Sequence, residues 1–353
     1  MISIHNDAAL EHFRAQVKLD PHVLRRLRSG FCKKGESAQA LLCKLPETQQ
    51  SLFQTEIQFH SLELHDRSDS QKDGASKLLF QTSRGLLLET VILRIASGRT
   101  SLCISSQVGC AAHCTFCATG QMGLVKNLGY DEILDQVIQA NQLLREEGRS
   151  VRNVVFMGMG EPLHNEAEVF RSLRILQSPG SMNMSPGKIL LSTVGIPDGM
   201  IRFAEEFPYV GLALSLHSAN QDVRAQLIPL AIRHPLGELR NTLDRVTRLL
   251  HRPLMIEYIL LAGRTDSDND LQELIGYLRG LPVHINLIPW NPLEVPSDLT
   301  GSSLIRIRQF AAGLRAAGIV VTVRYSLGSD IAAACGQLAH SRASGSTFLK
   351  QLR

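Results

Sequence analysis

A repeated alternation of short apolar runs and amphipathic segments dominates the sequence from about residue 100 onward. Seven runs rich in β-branched and other apolar residues recur, namely SLCISSQVG, NVVFMGMG, ILLSTVG, VGLALSLH, MIEYILLAG, INLIPW and IVVTVRYS. Stretches with apolar residues at helical spacing separate them, at residues 130–147, 166–177, 235–251, 270–279 and 302–317. A strand, helix, strand repeat places the strands in a parallel sheet. About seven such units predict an open or partial (β/α) barrel.

The first 75 residues follow a different pattern. They are Leu-rich with helical spacing and end in the polar segment HDRSDSQKDGAS, which we expect to be a linker or an exposed loop. We therefore predict an α/β protein with a small, mainly helical accessory domain at residues 1–75. Residues 76–99 are predicted as a β-hairpin around the turn at 83–85, residues 100–340 as the partial barrel, and residues 341–353 as a C-terminal tail.

Composition narrows the class of protein without identifying it. Hydrophobic residues make up 44% and charged residues 20%, which excludes a disordered or fibrous chain. There is no apolar run of about 18 residues and no basic start followed by an apolar stretch, so we expect a cytoplasmic protein with no membrane partner. The net charge of +4 permits a polyanionic partner without requiring one. We expect a monomer.

One accessory segment, HVLRRLRSGFCKK, combines five cationic residues with no acidic residue. Such a segment either contacts phosphates, as in RNA binding, or forms a solvated helix face. The sequence leaves both readings open.

Four of the seven cysteines lie between residues 103 and 117, which indicates metal or redox chemistry rather than a disulfide framework. Cys110, Cys114 and Cys117 have the spacing C-x3-C-x2-C directly after the first predicted barrel strand. Iron-sulfur cubes normally take four cysteines, so three thiolates leave one metal position for a ligand that is not protein. Two alternatives stay open. One is a zinc-stabilised RNA-binding module completed by His113 or a distant cysteine, and the other is an electron-transfer protein with a fourth cysteine ligand.

This cysteine triplet resembles that of the radical S-adenosylmethionine (SAM) superfamily, in which it holds a 4Fe-4S cluster. The motifs CISSQVGC, FCATGQMGLVKNL, GMGEPLHN, LSTVGIPDGM, LSLHSAN, INLIPWNP and AACGQL resemble the RNA adenine methyltransferases of the RlmN/Cfr family, over about residues 75–340. The resemblance implies a radical SAM partial barrel with one cluster per chain and two SAM molecules per turnover. It also implies methylation of an adenosine carbon in 23S rRNA, with tRNA as a further substrate. We favour carbon 2. Methylation at carbon 8, as in antibiotic-resistance members, is the alternative, and a non-methylating radical SAM enzyme is a more remote one.

The need for a radical follows from the target, because an adenine carbon is too electron-poor to attack a methyl cation equivalent. By resemblance, a first SAM methylates a cysteine, and a second SAM supplies the radical that activates the S-methyl group for addition to adenine. The implied partners are RNA, an electron donor such as flavodoxin or ferredoxin, and a thiol reductant.

The resemblance also assigns individual residues. Cys335 matches the cysteine that carries the methyl group in this family. Cys103 matches the cysteine that releases the RNA from its covalent adduct with the protein by forming a transient disulfide with Cys335. Glu89 matches the residue that accepts the proton from the adenine carbon. A glutamate within a strand ordinarily faces solvent, and a strand cysteine is ordinarily a core residue. The implied cluster ligands are Cys110, Cys114 and Cys117. The implied SAM contacts are Gly160, Glu161, Ser192, Ser215, Leu216, His217 and Asn291.

Overall fold

A computed structural model describes residues 1–293 and 298–339 of the chain. The predicted C-terminal tail, residues 341–353, therefore lies outside the described residues. Among those that are described, no helix is both long and apolar enough to cross a bilayer.

The N-terminal part is mainly helical, as predicted. Asn6 caps α1 by accepting a hydrogen bond from the Ala9 main-chain N–H at 3.2 Å, and Gly35 ends α2 in the left-handed conformation. A separate apolar core includes Phe13 and Phe53, whose rings pack edge to face. The elements are β1 (Ile2–Ser3), α1 (Asp7–Gln16), α2 (Pro21–Lys34), α3 (Ala38–Leu42), α4 (Glu47–Glu56) and β2 (Ile57–Gln58).

Three antiparallel strands follow, β3 (Leu62–Asp69), β4 (Ala75–Thr82) and β5 (Leu87–Arg94). The predicted hairpin is present as β4 and β5. The prediction of a linker or loop over HDRSDSQKDGAS is wrong for its first part, because β3 runs to Asp69 and pairs with β4. β3 forms the edge of the sheet and much of its surface is exposed, so its polar composition looks like that of a loop.

Seven parallel strands continue the same sheet, and all seven predicted runs are confirmed as strands. They are β6 (Thr100–Cys103), β9 (Asn153–Phe156), β10 (Ile189–Thr193), β11 (Gly211–Ser215), β12 (Leu254–Leu260), β13 (Val283–Pro289) and β14 (Val320–Val323). β7 (Gln107–Gly109) and β8 (Leu124–Asn127) form a small separate hairpin. The parallel strands are neighbours in chain order, with β6 paired to β5 and β14 at the opposite edge. The barrel is therefore partial, as predicted.

The five predicted helical stretches of the barrel all form helices. They correspond to α6 (Tyr130–Glu146), α7 (Glu166–Gln177), α10 (Leu236–Leu249), α11 (Asp268–Leu278) and α12 (Leu304–Ala316). Sequence reasoning missed the shorter α5 (Ala118–Met122), α8 (Pro197–Glu206) and α9 (Gln221–Leu227). The carboxyl ends of the parallel strands meet at one edge of the barrel, where such folds place their chemistry.

Candidate active site

The loop that carries the cysteine triplet lies between β7 and α5, and main-chain hydrogen bonds hold it at several points. The Cys110 N–H donates to the Gly123 carbonyl at 3.0 Å, and the Thr115 N–H donates to the Leu227 carbonyl at 3.0 Å. Gly120 lies so close to this loop that a Cβ there would come within 2.8 Å of the Cys114 main chain. Only glycine allows that close approach.

The three thiols line one cavity, which we call the cysteine-loop cavity. Burial raises the pKa of Cys110 to about 12 and the pKa of Cys114 well above its ordinary value, and in both cases neighbouring thiols of the triplet add to the increase. The described residues contain no group of three His, Cys, Asp or Glu side chains arranged to hold a single metal ion. The three thiols nevertheless share one cavity, and their charges influence one another's pKa.

Nearly all the predicted SAM contacts line the same cavity. Leu216 is the exception, because its side chain packs in the main apolar core and does not line the cavity. Its main chain instead joins β12 to α9, since the Leu216 N–H donates to the Glu257 carbonyl and the Leu216 carbonyl accepts from Arg224. The predicted contacts that line the cavity are Gly160, Glu161, Ser192, Ser215, His217 and Asn291.

Glu161 is a buried carboxylate in the loop that follows β9. Its two oxygens accept main-chain hydrogen bonds from Leu163 at 3.0 Å and from Val194 at 2.8 Å, and burial raises its pKa to about 7. A carboxylate has about four acceptor positions, so Glu161 retains capacity for a ligand. Gly160 has a φ of 104°, and a Cβ there would lie 2.6 Å from the Gln107 side chain.

His217 is neutral in this site. Burial, with a smaller contribution from Arg224, lowers its pKa to about 3. Its Nδ1 accepts a hydrogen bond from the Ile259 N–H at 3.1 Å, and its ring packs edge to face on Phe116 with centroids 4.7 Å apart. His217 therefore joins β12 to the cysteine loop.

Cys335 lies in a short segment that packs on the cysteine loop. The Ala118 N–H donates to the Gly336 carbonyl at 2.7 Å, and Asn291 Nδ2 donates to the Cys335 carbonyl at 3.0 Å. Cys335 is accessible through the cavity that it lines, yet the surrounding protein raises the pKa of its thiol to about 11.

A second cavity, which we call the Cys103 cavity, shares Cys335 with the cysteine-loop cavity. Cys103 and Cys335 both line it, together with Arg324. Burial, and then the proximity of Cys335, raises the pKa of Cys103 to about 12, while Arg324 opposes the increase for both thiols. The structure thus brings together two cysteines that are more than 230 positions apart (335 − 103 = 232).

Glu89 is buried on β5, whereas a glutamate within a strand ordinarily faces solvent. It does not line the cysteine-loop cavity or the Cys103 cavity. Lys77 on β4 forms an ion pair with it, with Nζ 3.2 Å from Oε1. The same Nζ lies 3.5 Å from the Ala332 carbonyl, three residues before Cys335. Lys77 therefore connects Glu89 to the Cys335 segment.

Sequence reasoning missed Lys77, Arg224, Glu257 and Arg324. Lys77, Glu257 and Arg324 are charged residues within or beside an apolar run, and that unusual placement could have marked them as functional candidates. Arg224 stands among polar residues in QDVRAQL and carries no such signal.

Comparisons with known proteins agree with this geometry. The family model of the radical SAM superfamily matches residues 104–278. A protein of Rhodopirellula baltica named as a probable RNA methyltransferase is 51% identical over 329 residues, which are 93% of this chain and 85% of the relative. The dual-specificity RNA methyltransferase RlmN of Sorangium cellulosum is 39% identical, over 77% of this chain and 78% of the relative.

A solved structure supports the same relationship. The crystal structure of a radical SAM methyltransferase from Sphaerobacter thermophilus matches with a TM-score of 0.90 and 38% identity, and covers 96% of this chain and 99% of that one. Agreement in fold and in sequence makes a zinc-stabilised module or a simple electron-transfer protein a poor description. The chain belongs to the radical SAM superfamily and, within it, to the RlmN/Cfr family of RNA methyltransferases.

Proposed function

We propose that this protein methylates carbon 2 of an adenosine in 23S rRNA, and also in tRNA, with Cys335 as the carrier of the methyl group. The observation that carries the proposal is the position of Cys335, which lines both the cysteine-loop cavity and the Cys103 cavity. A methyl carrier of this kind must meet SAM on one side and a resolving thiol on the other. Cys335 has access to both.

Radical SAM enzymes use a 4Fe-4S cluster and SAM, and the donor set of this chain fits that requirement. Cys110, Cys114 and Cys117 are three thiols on one loop, and three thiolates leave one iron free for SAM. When bound, the cluster supplies the electron for the reductive cleavage of SAM. We propose one cluster per chain and two SAM molecules per turnover. The residues that would bind SAM are Gly160, Glu161, Ser192, Ser215, Leu216, His217 and Asn291.

Cys335 would act first as a nucleophile. Its thiol loses a proton, its sulfur forms a bond to the methyl carbon, and SAM leaves as S-adenosylhomocysteine. Because desolvation by the protein around the cavity raises the pKa of Cys335 to about 11, the thiolate needs stabilisation, and Arg324 is the charged neighbour that favours the deprotonated form.

Release of the methylated RNA would require the other two residues. Glu89 accepts the proton that the adenine carbon loses. The Cys103 thiol loses its proton and its sulfur attacks the Cys335 sulfur, which forms the Cys103–Cys335 disulfide and breaks the bond between Cys335 and the RNA-linked methylene carbon. That carbon keeps the electron pair of the broken bond and takes up a proton to become the methyl group. A thiol reductant then supplies two electrons and two protons to restore both thiols.

The RNA partner is supported by the names of the relatives and by the accessory domain. Arg25, Arg26 and Lys34 are exposed on α2 and fit a role in contacting RNA phosphates. We propose residues 1–75 as this RNA-binding accessory domain. A reducing protein such as flavodoxin or ferredoxin would supply the electron.

The test is a product analysis with the reconstituted enzyme under anaerobic conditions. Enzyme, SAM, a reductant and unmodified 23S rRNA fragments or tRNA are incubated, and digested RNA is analysed by chromatography and mass spectrometry. We expect 2-methyladenosine. The appearance of 8-methyladenosine would overturn the choice of carbon, and the absence of any methylated adenosine from a SAM-cleaving enzyme would overturn the proposed function.

Cysteine variants test the carrier mechanism separately. Cys335→Ala should abolish methylation and leave SAM cleavage intact, whereas Cys103→Ala should accumulate protein covalently bound to RNA in denaturing gels. Cys43→Ala, an exposed cysteine of the accessory domain, is the matched control and should behave as wild type. Normal methylation by Cys335→Ala would refute the carrier role.

A further inference from the structure

One buried carboxylate in the cysteine-loop cavity has no role in the function proposed above. Glu257 lies on β12, is 2% exposed, and lines the cavity. Its Oε2 accepts a hydrogen bond from Asn286 Nδ2 at 2.8 Å, whereas its Oε1 has no hydrogen-bond partner among the described residues. A buried carboxylate oxygen without a donor is costly, so a free acceptor in a cavity points to a ligand that supplies the donor.

The strand register places Glu257 in a band of polar side chains. Ser215 on β11 is the register partner of Glu257, which in turn pairs with Asn286 on β13. Ser192 on β10 extends the band, with its Oγ 3.4 Å from the Ser215 Oγ. Serine hydroxyls both donate and accept hydrogen bonds, whereas a carboxylate only accepts. The band therefore matches a ligand group that carries several hydroxyls.

We propose that Glu257 accepts hydrogen bonds from the ribose hydroxyls of SAM. The inference rests on the proposed function, in which SAM occupies this cavity. SAM offers two main groups of donors, its ammonium group and its ribose diol. Glu161 and the glycine-rich turn suit the ammonium group, which leaves the diol for the free oxygen of Glu257. Pairing of a carboxylate with a ribose hydroxyl is a common way for proteins to hold a nucleoside.

The test measures equilibrium binding of S-adenosylhomocysteine to the cluster-loaded protein by calorimetry, so it does not depend on turnover. Glu257→Gln keeps the shape of the side chain and removes its charge. We expect about a tenfold to a hundredfold loss of affinity, the range for a hydrogen bond to a charged group. Glu273→Gln on the outer helix α11 is the matched control and should bind as wild type does.

The 2′-deoxy and 3′-deoxy analogues of S-adenosylhomocysteine identify the group that Glu257 contacts. In the wild type, at least one of them should bind about tenfold or more weakly than S-adenosylhomocysteine, and in Glu257→Gln that difference should shrink. Unchanged binding of both analogues by the wild type would overturn the inference even if the variant did not fold. An equal loss of affinity for all three ligands in the variant would also overturn it, because Glu257 would then shape the cavity without contacting ribose.

The outcomes also separate this inference from the proposed function. If Glu257→Gln bound S-adenosylhomocysteine normally but no longer methylated RNA, the ribose contact would be overturned and Glu257 would act on the RNA instead. Analogue discrimination that depends on Glu257, in an enzyme that methylates no RNA, would support the ribose contact and refute the proposed function.

Discussion

Arg224 is the buried cation on which the ends of two barrel strands depend. It lies on α9 and is 0% exposed. Its Nη1 donates to the carbonyls of Ser215 at 3.0 Å and Leu216 at 2.5 Å, and its Nη2 donates to the carbonyl of Val194 at 2.6 Å. Two of these three residues are predicted SAM contacts. Substitution of Arg224 by Met keeps an unbranched side chain and removes all three donors.

Two opposing terms determine the expected change in the free energy of unfolding. The Leu216 carbonyl keeps a second donor, the Ser218 N–H at 2.8 Å, so the substitution leaves two carbonyls without one. Each such carbonyl costs about 1–3 kcal/mol, or about 4 kcal/mol for two. Burial lowers the pKa of Arg224 from 12.5 to about 10, so removing the charge returns about 3 kcal/mol of desolvation cost. We therefore expect Arg224→Met to lose about 1 kcal/mol of stability.

Urea unfolding of the protein at pH 7, followed by circular dichroism, measures this change. Arg224→Lys should recover only part of the loss, because one ammonium group cannot reproduce the planar fork of donors. Arg233→Met, which alters an exposed arginine of the following segment, is the matched control. If Arg224→Met unfolded within about 0.5 kcal/mol of the wild type, the range of ordinary surface substitutions, the reasoning would be refuted.

Three further predictions follow from other buried groups. Lys77→Met removes the positive charge that pairs with buried Glu89, so we expect urea unfolding to show a loss of about 3–5 kcal/mol in the free energy of unfolding, and we expect slower RNA methylation. Lys77→Arg should recover part of both losses. An unchanged free energy of unfolding together with an unchanged methylation rate in Lys77→Met would contradict this prediction. Gly160 has a positive φ, and Gly160→Ala would put a Cβ 2.6 Å from the Gln107 side chain on β7, so calorimetry should show weaker binding of S-adenosylhomocysteine. Gly237→Ala is the control, because a Cβ there meets only open space, and this variant should bind the ligand normally. Burial lowers the pKa of His5 to about 4, so the unfolded state takes up a proton below pH 6.5 that the folded state does not. Wild-type stability should therefore fall by up to about 3 kcal/mol between pH 6.5 and 4 relative to His5→Leu, and parallel pH profiles of the two proteins would refute the assignment.

Local patterns were enough to predict much of the barrel. Most strands of the parallel region are largely apolar, because strands inside such a sheet are covered on both faces. β3 was missed for the opposite reason. It lies at the sheet edge and exposes polar side chains to solvent, so nothing in its composition separates it from a loop. The helices α5 and α9, of 5 and 7 residues, were also missed, because each is too short to show a clear helical period. The 10-residue α8 was missed although its buried apolar residues follow a helical period.

The alternation of strands and helices and the spacing of the cysteine triplet could be predicted from the sequence, because both depend on neighbours along the chain. Which distant groups meet is visible only in the folded protein. It places Cys335 beside Cys103, Lys77 beside Glu89, and Glu257 beside Asn286. These pairs join different strands and segments, and their contacts follow from the sheet register and from the packing of the chain around a common cavity. No local pattern encodes that register, so the partners of buried charges become visible only in the folded protein.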